Sequence, residues 1–146
     1  MTDQDAARDA FFAELEAVPM PPSVPNGMRF ELLRARIKPG KEARMTEWMA
    51  MLHERYQECL DVLPAERMAF ESTFRHTDAD GSVWIYHLSL YGGNGSELDE
   101  SNSVSEAHAT FSRECKEPGW QILRPELLLI PNEVRDALTH AGSGQL

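Results

Sequence analysis

The stretch of sequence that decides the fold is ERMAFESTFRHTDADGSVWIYHLSLY, residues 66–91. Apolar and polar residues alternate on either side of Asp78-Ala-Asp-Gly81, a turn-forming segment that ends in glycine. Two such runs joined by a short glycine-containing turn are typical of a β-hairpin. A loop over residues 79–81 would pair Asp78 with Ser82. In that register one face of the hairpin carries Glu71, Thr73, Arg75, Ile85, His87 and Ser89.

A strand and a long helix are predicted before the hairpin. In the strand, residues 29–37, the odd-numbered side chains from Leu33 onward form the more apolar face, and the other face includes Arg34 and Arg36. The helix is predicted to run without a break over residues 41–63. Its apolar residues recur at intervals of three and four, as on one buried helical face: Met45, Trp48, Leu52, Tyr56, Cys59 and Leu63.

One helix and one strand are predicted after the hairpin. Ser103 and Glu106 resemble a capping box at the start of the helix, and Pro118 follows its end. In chain order, the predicted segments are a loop over 92–103, a helix over 104–116, a strand over 120–130 and a short closing helix over 131–138.

The first 27 residues are predicted to form an arm outside the core domain. Apolar residues at every fourth position predict a helix over residues 3–17, with Thr2 and Asp5 as a capping box. Four prolines within residues 19–25 predict an extended linker. Such an arm either contacts a partner subunit or is a loosely attached tail. The predicted boundaries are 1–27 for the arm, 28–140 for the core domain and 141–146 for a disordered tail.

The order of the core segments, β-α-β-β-α-β, predicts a ferredoxin-like α+β fold. Such a fold has a four-stranded antiparallel sheet with both helices on one face, and here a further helix at each end of the chain. The second face of the sheet is then uncovered, and a second copy of the chain would cover it. We therefore expect a homodimer.

Composition excludes several classes of function. The 146 residues carry 14 Lys+Arg against 24 Asp+Glu, a net charge of −10, which argues against a nucleic-acid partner. The sequence has no apolar run of about 18 residues and an acidic N-terminus, so we expect no membrane partner and a cytoplasmic location. It has neither HExxH nor a CxxC motif, so we predict no metal and no cofactor. Cys59 and Cys115 are interpreted as buried thiols.

The candidate chemistry lies on the strand faces. If the arginine face of the first strand coincides with the hairpin face defined above, the uncovered side of the sheet carries Arg34, Arg36, Glu71, Arg75 and His87. A polar cavity there would use Glu71 and His87 for acid–base chemistry and the arginines to hold an anion. The alternatives are an ion-pair network across a dimer interface and a solvated face.

Two further residues are candidates for the same site. His108 lies on the apolar side of the second core helix and Trp48 on that of the first. Each can be explained as a core residue, His108 as a hydrogen-bonded histidine and Trp48 by packing. We predict that both surround one pocket with Glu71 and His87, between the helices and the sheet.

The sequence also resembles a known family. The resemblance rests on the run Arg36-Ile-Lys-Pro-Gly-Lys41, on Glu47-Trp48, Glu66 and Phe70-Glu71, and on His108, Phe111 and Glu114-Cys115. These residues resemble a small bacterial family of unknown function, similar in fold to the dimeric α+β barrel proteins, which include the antibiotic-biosynthesis monooxygenases. The resemblance covers residues 29–131. It implies a homodimer whose two sheets face each other, and it supplies no reaction.

We therefore expect a homodimeric α+β barrel that binds a small organic molecule in a polar and aromatic cavity. The predicted catalytic residues are Glu71, His87 and His108, and the predicted ligand-binding residues are Trp48, Arg34 and Arg36. One alternative is a cofactor-independent monooxygenase or related enzyme, in which Glu71 or a histidine acts as general base. Another is a structural or sensing dimer without catalysis.

Overall fold

The structure is a computed structural model that describes residues 2–93 and 102–144. The predicted 92–103 loop therefore lies mostly outside the described residues. The elements, in chain order, are α1 (Asp3–Ala17), β1 (Met28–Arg36), α2 (Glu42–Glu54), α3 (Tyr56–Val62), β2 (Met68–Thr77), β3 (Val83–Gly92), α4 (Ser103–Cys115), β4 (Gln121–Leu123) and α5 (Asn132–Ala141).

The strands form one four-stranded antiparallel sheet in the order β2-β3-β1-β4. This confirms the βαββαβ core with helices at both ends of the chain. One face of the sheet is covered by α2 and α4, and the core between these layers consists of Ala35, Ile37, Met45, Trp48, Val83, Ile85 and Cys115. No helix in the described parts of the chain is long and apolar enough to cross a membrane.

The predicted hairpin register is confirmed. Glu71 pairs with Ser89 and Thr73 with His87. At the turn, the Asp78 amide donates to the Ser82 carbonyl over 2.8 Å. Gly81 has a φ of 88°, a left-handed conformation that glycine adopts at little cost. Because the loop is short and its glycine is in the required place, the register is set locally.

The prediction of one unbroken helix over residues 41–63 is wrong. The backbone leaves helical geometry at Arg55, with φ −104° and ψ 32°, which separates α2 from α3. The Arg55 guanidinium bonds Glu58 in α3 and the Ser103 hydroxyl at the start of α4. Met45 and Trp48 in α2 are buried, whereas no residue of α3 is. The apolar residues of α3 instead line a cavity, described below.

Two other predicted boundaries need correction. The N-cap of α4 is Asn102, whose side chain accepts from the amides of Val104 and Ser105, and not Ser103. The last strand is only three residues long and does not extend to residue 130. Pro125 follows it closely and has no amide hydrogen to donate to a neighbouring strand.

The arm contacts the sheet of its own chain. The predicted capping box of Thr2 and Asp5 is present at the start of α1. At the other end of α1, the Arg29 guanidinium donates to the carbonyls of Leu15 and Val18 over 2.6 and 2.9 Å. Cations are favourable at this end of a helix because its carbonyls are otherwise unpaired. In the linker, Val24 is buried in a second apolar cluster.

The C-terminal end of the chain also belongs to the fold. Leu138 of α5 contacts the apolar cluster that contains Val24, Met28 and Leu90. Ala141 ends α5, and Gly142 is buried. A Cβ at Gly92 would clash with the backbone carbonyl oxygen of Gly142, so the close approach of this end of the chain to β3 requires glycine at residue 92. Of the predicted tail, residue 141 therefore lies in α5 and residue 142 directly follows it, and the tail itself stays a prediction.

Candidate functional site

A cavity of about 350 Å³ lies between the helices and the β2–β3 hairpin. Its walls are mainly apolar, and several titratable side chains reach it. The side chains that line it include Met49, Leu52, Tyr56, Cys59, Leu60, Leu63, Glu66, Glu71, Thr73, His87, Val104 and His108. Three of the four residues predicted to surround one pocket, Glu71, His87 and His108, therefore line this cavity. The fourth, Trp48, is not among the lining residues but contacts His108.

Glu71 and His87 form a pair on neighbouring strands. Glu71 is opposite Ser89, two residues beyond His87, so the two side chains are diagonal neighbours on one face. The distance between Glu71 Oε2 and His87 Nε2 is 3.2 Å, and the side chains are 38% and 26% exposed. Burial pushes the pKa of Glu71 upward, but the hydrogen bond and charge of His87 outweigh it and lower that pKa below its usual value.

His108 is held from the side opposite the cavity by Trp48. The indole Nε1–H donates to His108 Nδ1 over 2.9 Å, and the two ring centroids are 5.3 Å apart. Trp48 is 2% exposed, so it is a core residue, as the packing interpretation predicted. Burial lowers the pKa of His108 below its usual value. The histidine is therefore more firmly neutral than an exposed one.

Glu66 is a site residue that sequence reasoning named in the resemblance but gave no role. It follows α3 and lines the cavity. Burial and the nearby charge of Glu71 raise the pKa of Glu66 to about 7. Its proximity to Glu71 depends on the connection between α3 and β2, and the spacing of the sequence does not reveal it.

The two cysteines differ in their surroundings. Cys115 is fully buried in the core, as predicted. Cys59 is only partly buried and lines the cavity. Burial raises the pKa of the Cys59 thiol, so it stays protonated at neutral pH. A thiol in this state is a poor nucleophile.

The prediction that Arg34 and Arg36 share a face with Glu71 and His87 is wrong. Arg34 is opposite Tyr86, and Arg36 is opposite Trp84, so both lie on the other face of the sheet. The Arg34 guanidinium stacks over the Trp84 ring at 4.4 Å. Glu71, Arg75 and His87 lie on the face that α2 and α4 cover, and not on the uncovered side as predicted. The error arose because the hairpin register does not determine which of its faces the helices cover.

Arg75 lies on the same sheet face as Glu71 but outside the cavity lining. Its guanidinium donates to the Thr46 hydroxyl of α2 over 3.1 Å. Among the described residues, the side chains that line the cavity include neither lysine nor arginine. The cavity therefore presents carboxylates and histidines, without the anion-holding arginines that the sequence suggested. The described residues also hold no group of three or more His, Cys, Asp or Glu that could bind a metal ion.

A family comparison covers this whole region. A sequence model of a family of unknown function (DUF6176) matches residues 28–136, which include the sheet and every residue of the cavity lining. The chain belongs to this family. No curated protein and no solved structure matches the chain. The α1 helix and the linker lie outside the DUF6176 match, so the cavity belongs to the family region and the arm does not.

Proposed function

We propose that this DUF6176 protein binds a small organic molecule in the cavity between α3, α4 and the β2–β3 hairpin. The observation that carries the proposal is a cavity of about 350 Å³ into which Glu71, His87 and His108 all reach. Small-molecule sites typically combine mainly apolar walls with a few convergent polar groups, in volumes of about 300–1,000 Å³. Both features are present here.

The lining also indicates which ligands fit. Leucine, methionine and valine side chains supply an apolar wall, so the ligand needs an apolar body. Glu66 and Glu71 supply carboxyl groups without a lysine or arginine beside them in the lining. An anionic ligand would therefore meet repulsion, since no cation of the lining compensates its charge.

The test is a fragment screen by ligand-observed NMR. Leu60 lines the cavity and is 39% exposed, so Leu60→Trp should fill the cavity with little effect on folding. Leu129 is 82% exposed and is not among the lining residues, so Leu129→Trp is the matched control. We expect fragments that bind the wild type to lose binding in Leu60→Trp and keep it in Leu129→Trp. Fragments that bind all three proteins equally would refute the proposal.

A second candidate function is a cofactor-independent enzyme, and the Glu71–His87 hydrogen bond favours it. A carboxylate paired with an imidazole can accept a proton from an activated C–H or O–H group. Carbonyl fragments from the screen, incubated in D₂O, would exchange their α-hydrogens faster with wild type than with Glu71→Gln. The monooxygenase alternative further requires oxygen consumption, which an oxygen electrode measures. Binding without exchange and without oxygen consumption would leave a binding protein.

We also propose that the protein is a homodimer through the sheet face opposite α2 and α4. Phe74, which is opposite Tyr86 on that face, is 53% exposed. A second copy offers the same apolar side chains about a two-fold axis. Light scattering after size exclusion would give a dimer for wild type and for Phe12→Glu, a control in α1 with 37% exposure, but a monomer for Phe74→Glu. A monomeric wild type would refute the proposal.

A further inference from the structure

We infer that Trp48 holds His108 as a neutral imidazole protonated at Nε2, and that the cavity therefore takes ligands that present an uncharged oxygen acceptor, such as an amide or ketone carbonyl, in preference to carboxylates. The second half of this inference rests on the proposed binding function. The first half concerns the protein alone and is tested without a ligand.

The tautomer follows from the hydrogen bond between the two rings. An indole N–H can only donate, so His108 Nδ1, 2.9 Å from Trp48 Nε1, must be the acceptor. The acceptor nitrogen carries no hydrogen, and the neutral ring is then protonated at Nε2. Protonation of Nδ1 would put two donors against each other in the core. Trp48 therefore opposes the imidazolium form through geometry, in addition to the effect of burial.

The charged groups around His108 come from three elements. Glu71 on β2 favours the imidazolium, whereas His87 on β3 and Lys116 at the end of α4 disfavour it. Lys116 lies over the Trp120 ring, with its Nζ 4.0 Å from the ring centroid. The Glu71 carboxylate, which would attract a charged His108, also forms a hydrogen bond with His87, so its charge is shared between the two histidines. The surroundings therefore add no strong reason for His108 to gain a second proton.

The ligand preference follows from the one polar group of His108 that the Trp48 bond leaves available, its Nε2–H donor. Its Nδ1 is occupied, and no described residue bonds its Nε2, so the polar group available to the cavity is one N–H donor. A carbonyl oxygen accepts such a bond without bringing charge. A carboxylate would accept it too, but it would lie in the same lining as Glu66 and Glu71. Neutral acceptors therefore gain the hydrogen bond without the repulsion.

The tautomer is tested by long-range ¹H–¹⁵N NMR of uniformly labelled protein, with His108→Gln used to assign the signal. We expect the His108 Nε2 shift of a protonated nitrogen and the Nδ1 shift of an unprotonated one at pH 6. In Trp48→Phe we expect the tautomer preference to weaken and His108 to titrate at higher pH. A wild-type His108 that is protonated at Nδ1, or charged at pH 6, would overturn the inference even if Trp48→Phe fails to fold.

The ligand preference is tested with three probes that share one ring: benzamide, benzoate and benzylamine. We expect benzamide to bind the wild type at least about tenfold more tightly than benzoate, and His108→Leu to lose about tenfold for benzamide, which is about 1.4 kcal/mol. His76→Leu is the matched control, since His76 is 61% exposed and bonds Asp78 outside the cavity lining. Benzylamine separates loss of the His108 hydrogen bond from general damage to the cavity. Its binding depends on the carboxylates, so it should survive His108→Leu.

The possible failures are distinguishable. Equal binding of benzamide and benzoate would overturn the ligand preference and leave the cavity as a binding site. Binding of all three probes that Leu60→Trp does not affect would contradict the proposed function itself. No binding by any probe would overturn the ligand preference, and the NMR result would still decide the tautomer.

Discussion

Two carboxylates on the helix-covered face of the sheet flank the same serine and have different surroundings. Ser89 of β3 is opposite Glu31 on β1 and Glu71 on β2, so the two glutamates lie in one row across three strands. Glu31 is 7% exposed, whereas the Glu71 side chain is 38% exposed. The two positions are equivalent in register, and the difference lies in what covers each one.

The partners of Glu31 enclose it. The Tyr91 hydroxyl donates to its carboxylate, and Arg29 lies 4.0 Å from it. Arg29 in turn bonds the last carbonyls of α1. Burial raises the pKa of Glu31, although Tyr91 and Arg29 oppose that shift. Among the described residues, Arg29 Nε is buried without a hydrogen-bond partner. The cluster connects the arm to the sheet, so we interpret it as structural.

Glu71, in contrast, has one hydrogen-bond partner among the described residues and borders a cavity. Its bond to His87 lowers its pKa below the usual value despite burial. A carboxylate that keeps its charge and faces open volume can interact with a ligand, whereas Glu31 cannot reach one. What covers each carboxylate, and not its position in the sheet, therefore separates the structural Glu31 from the candidate functional Glu71.

The largest expected effect on stability is that of Arg29→Met. The substitution leaves a buried carboxylate without its nearby cation and removes two bonds to α1, so we expect a loss of about 3 kcal/mol in the free energy of unfolding. Urea denaturation measures it. Arg75→Met, on the same sheet face but exposed, is the control and should change stability by less than about 0.5 kcal/mol. Similar losses for both variants would contradict the structural role of the cluster.

Tyr91→Phe should have the next largest effect, a loss of about 1–2 kcal/mol, because it removes the donor to a buried carboxylate. The loss should grow between pH 5 and pH 8. Only ionised Glu31 needs the donor strongly, and its pKa is raised above the usual value. Urea denaturation at both pH values tests this. A loss that is larger at pH 5 would show that Glu31 does not carry the effect.

Glu66→Gln should stabilise the protein at high pH by about 1 kcal/mol. The folded-state pKa of Glu66 is about 7, above the usual 4.5, so folding binds a proton between these values. The contribution of Glu66 to wild-type stability is therefore greatest below pH 4.5 and is lost as pH rises through 7. Glutamine does not titrate, so the difference should be large at pH 8 and absent near pH 4.5. Thermal unfolding across this range gives the profile.

Glu71→Gln should have the smallest effect on stability, below about 0.5 kcal/mol, because its side chain is the most exposed of this set. Its effect on the proposed function should nevertheless be large. Benzylamine, the cationic probe, should lose binding in this variant, as measured by ligand-observed NMR. Loss of stability together with unchanged binding would reverse the comparison between Glu71 and Glu31.

The features that could be predicted from the sequence are local ones. The β2–β3 register was correct because a three-residue loop with glycine at its end fixes which residues are opposite each other. The capping box of α1 was correct for a similar reason, since Thr2 and Asp5 are three residues apart. The proximity of Glu71 and His87 followed directly from the register.

The errors concern contacts between distant segments. Glu71, Arg75 and His87 were assigned to the uncovered side with Arg34 and Arg36, but they lie on the face that α2 and α4 cover, because that face depends on how β1 pairs with β3. The break at Arg55 was missed because the periodicity of the apolar residues continues through it. Glu66 was given no role because its burial beside Glu71 depends on packing.

The sequence by itself determined the order of the elements, the hairpin and its register, and the pairing of Glu71 with His87. These features depend on interactions between residues close together in the chain, or on alternation along one strand. Only the tertiary structure decided that Trp48 fixes His108, that α3 turns its apolar residues to a cavity, and that Glu31 is enclosed while Glu71 is open. Each of these depends on which surfaces meet when helices and sheet pack, and a linear pattern does not record that.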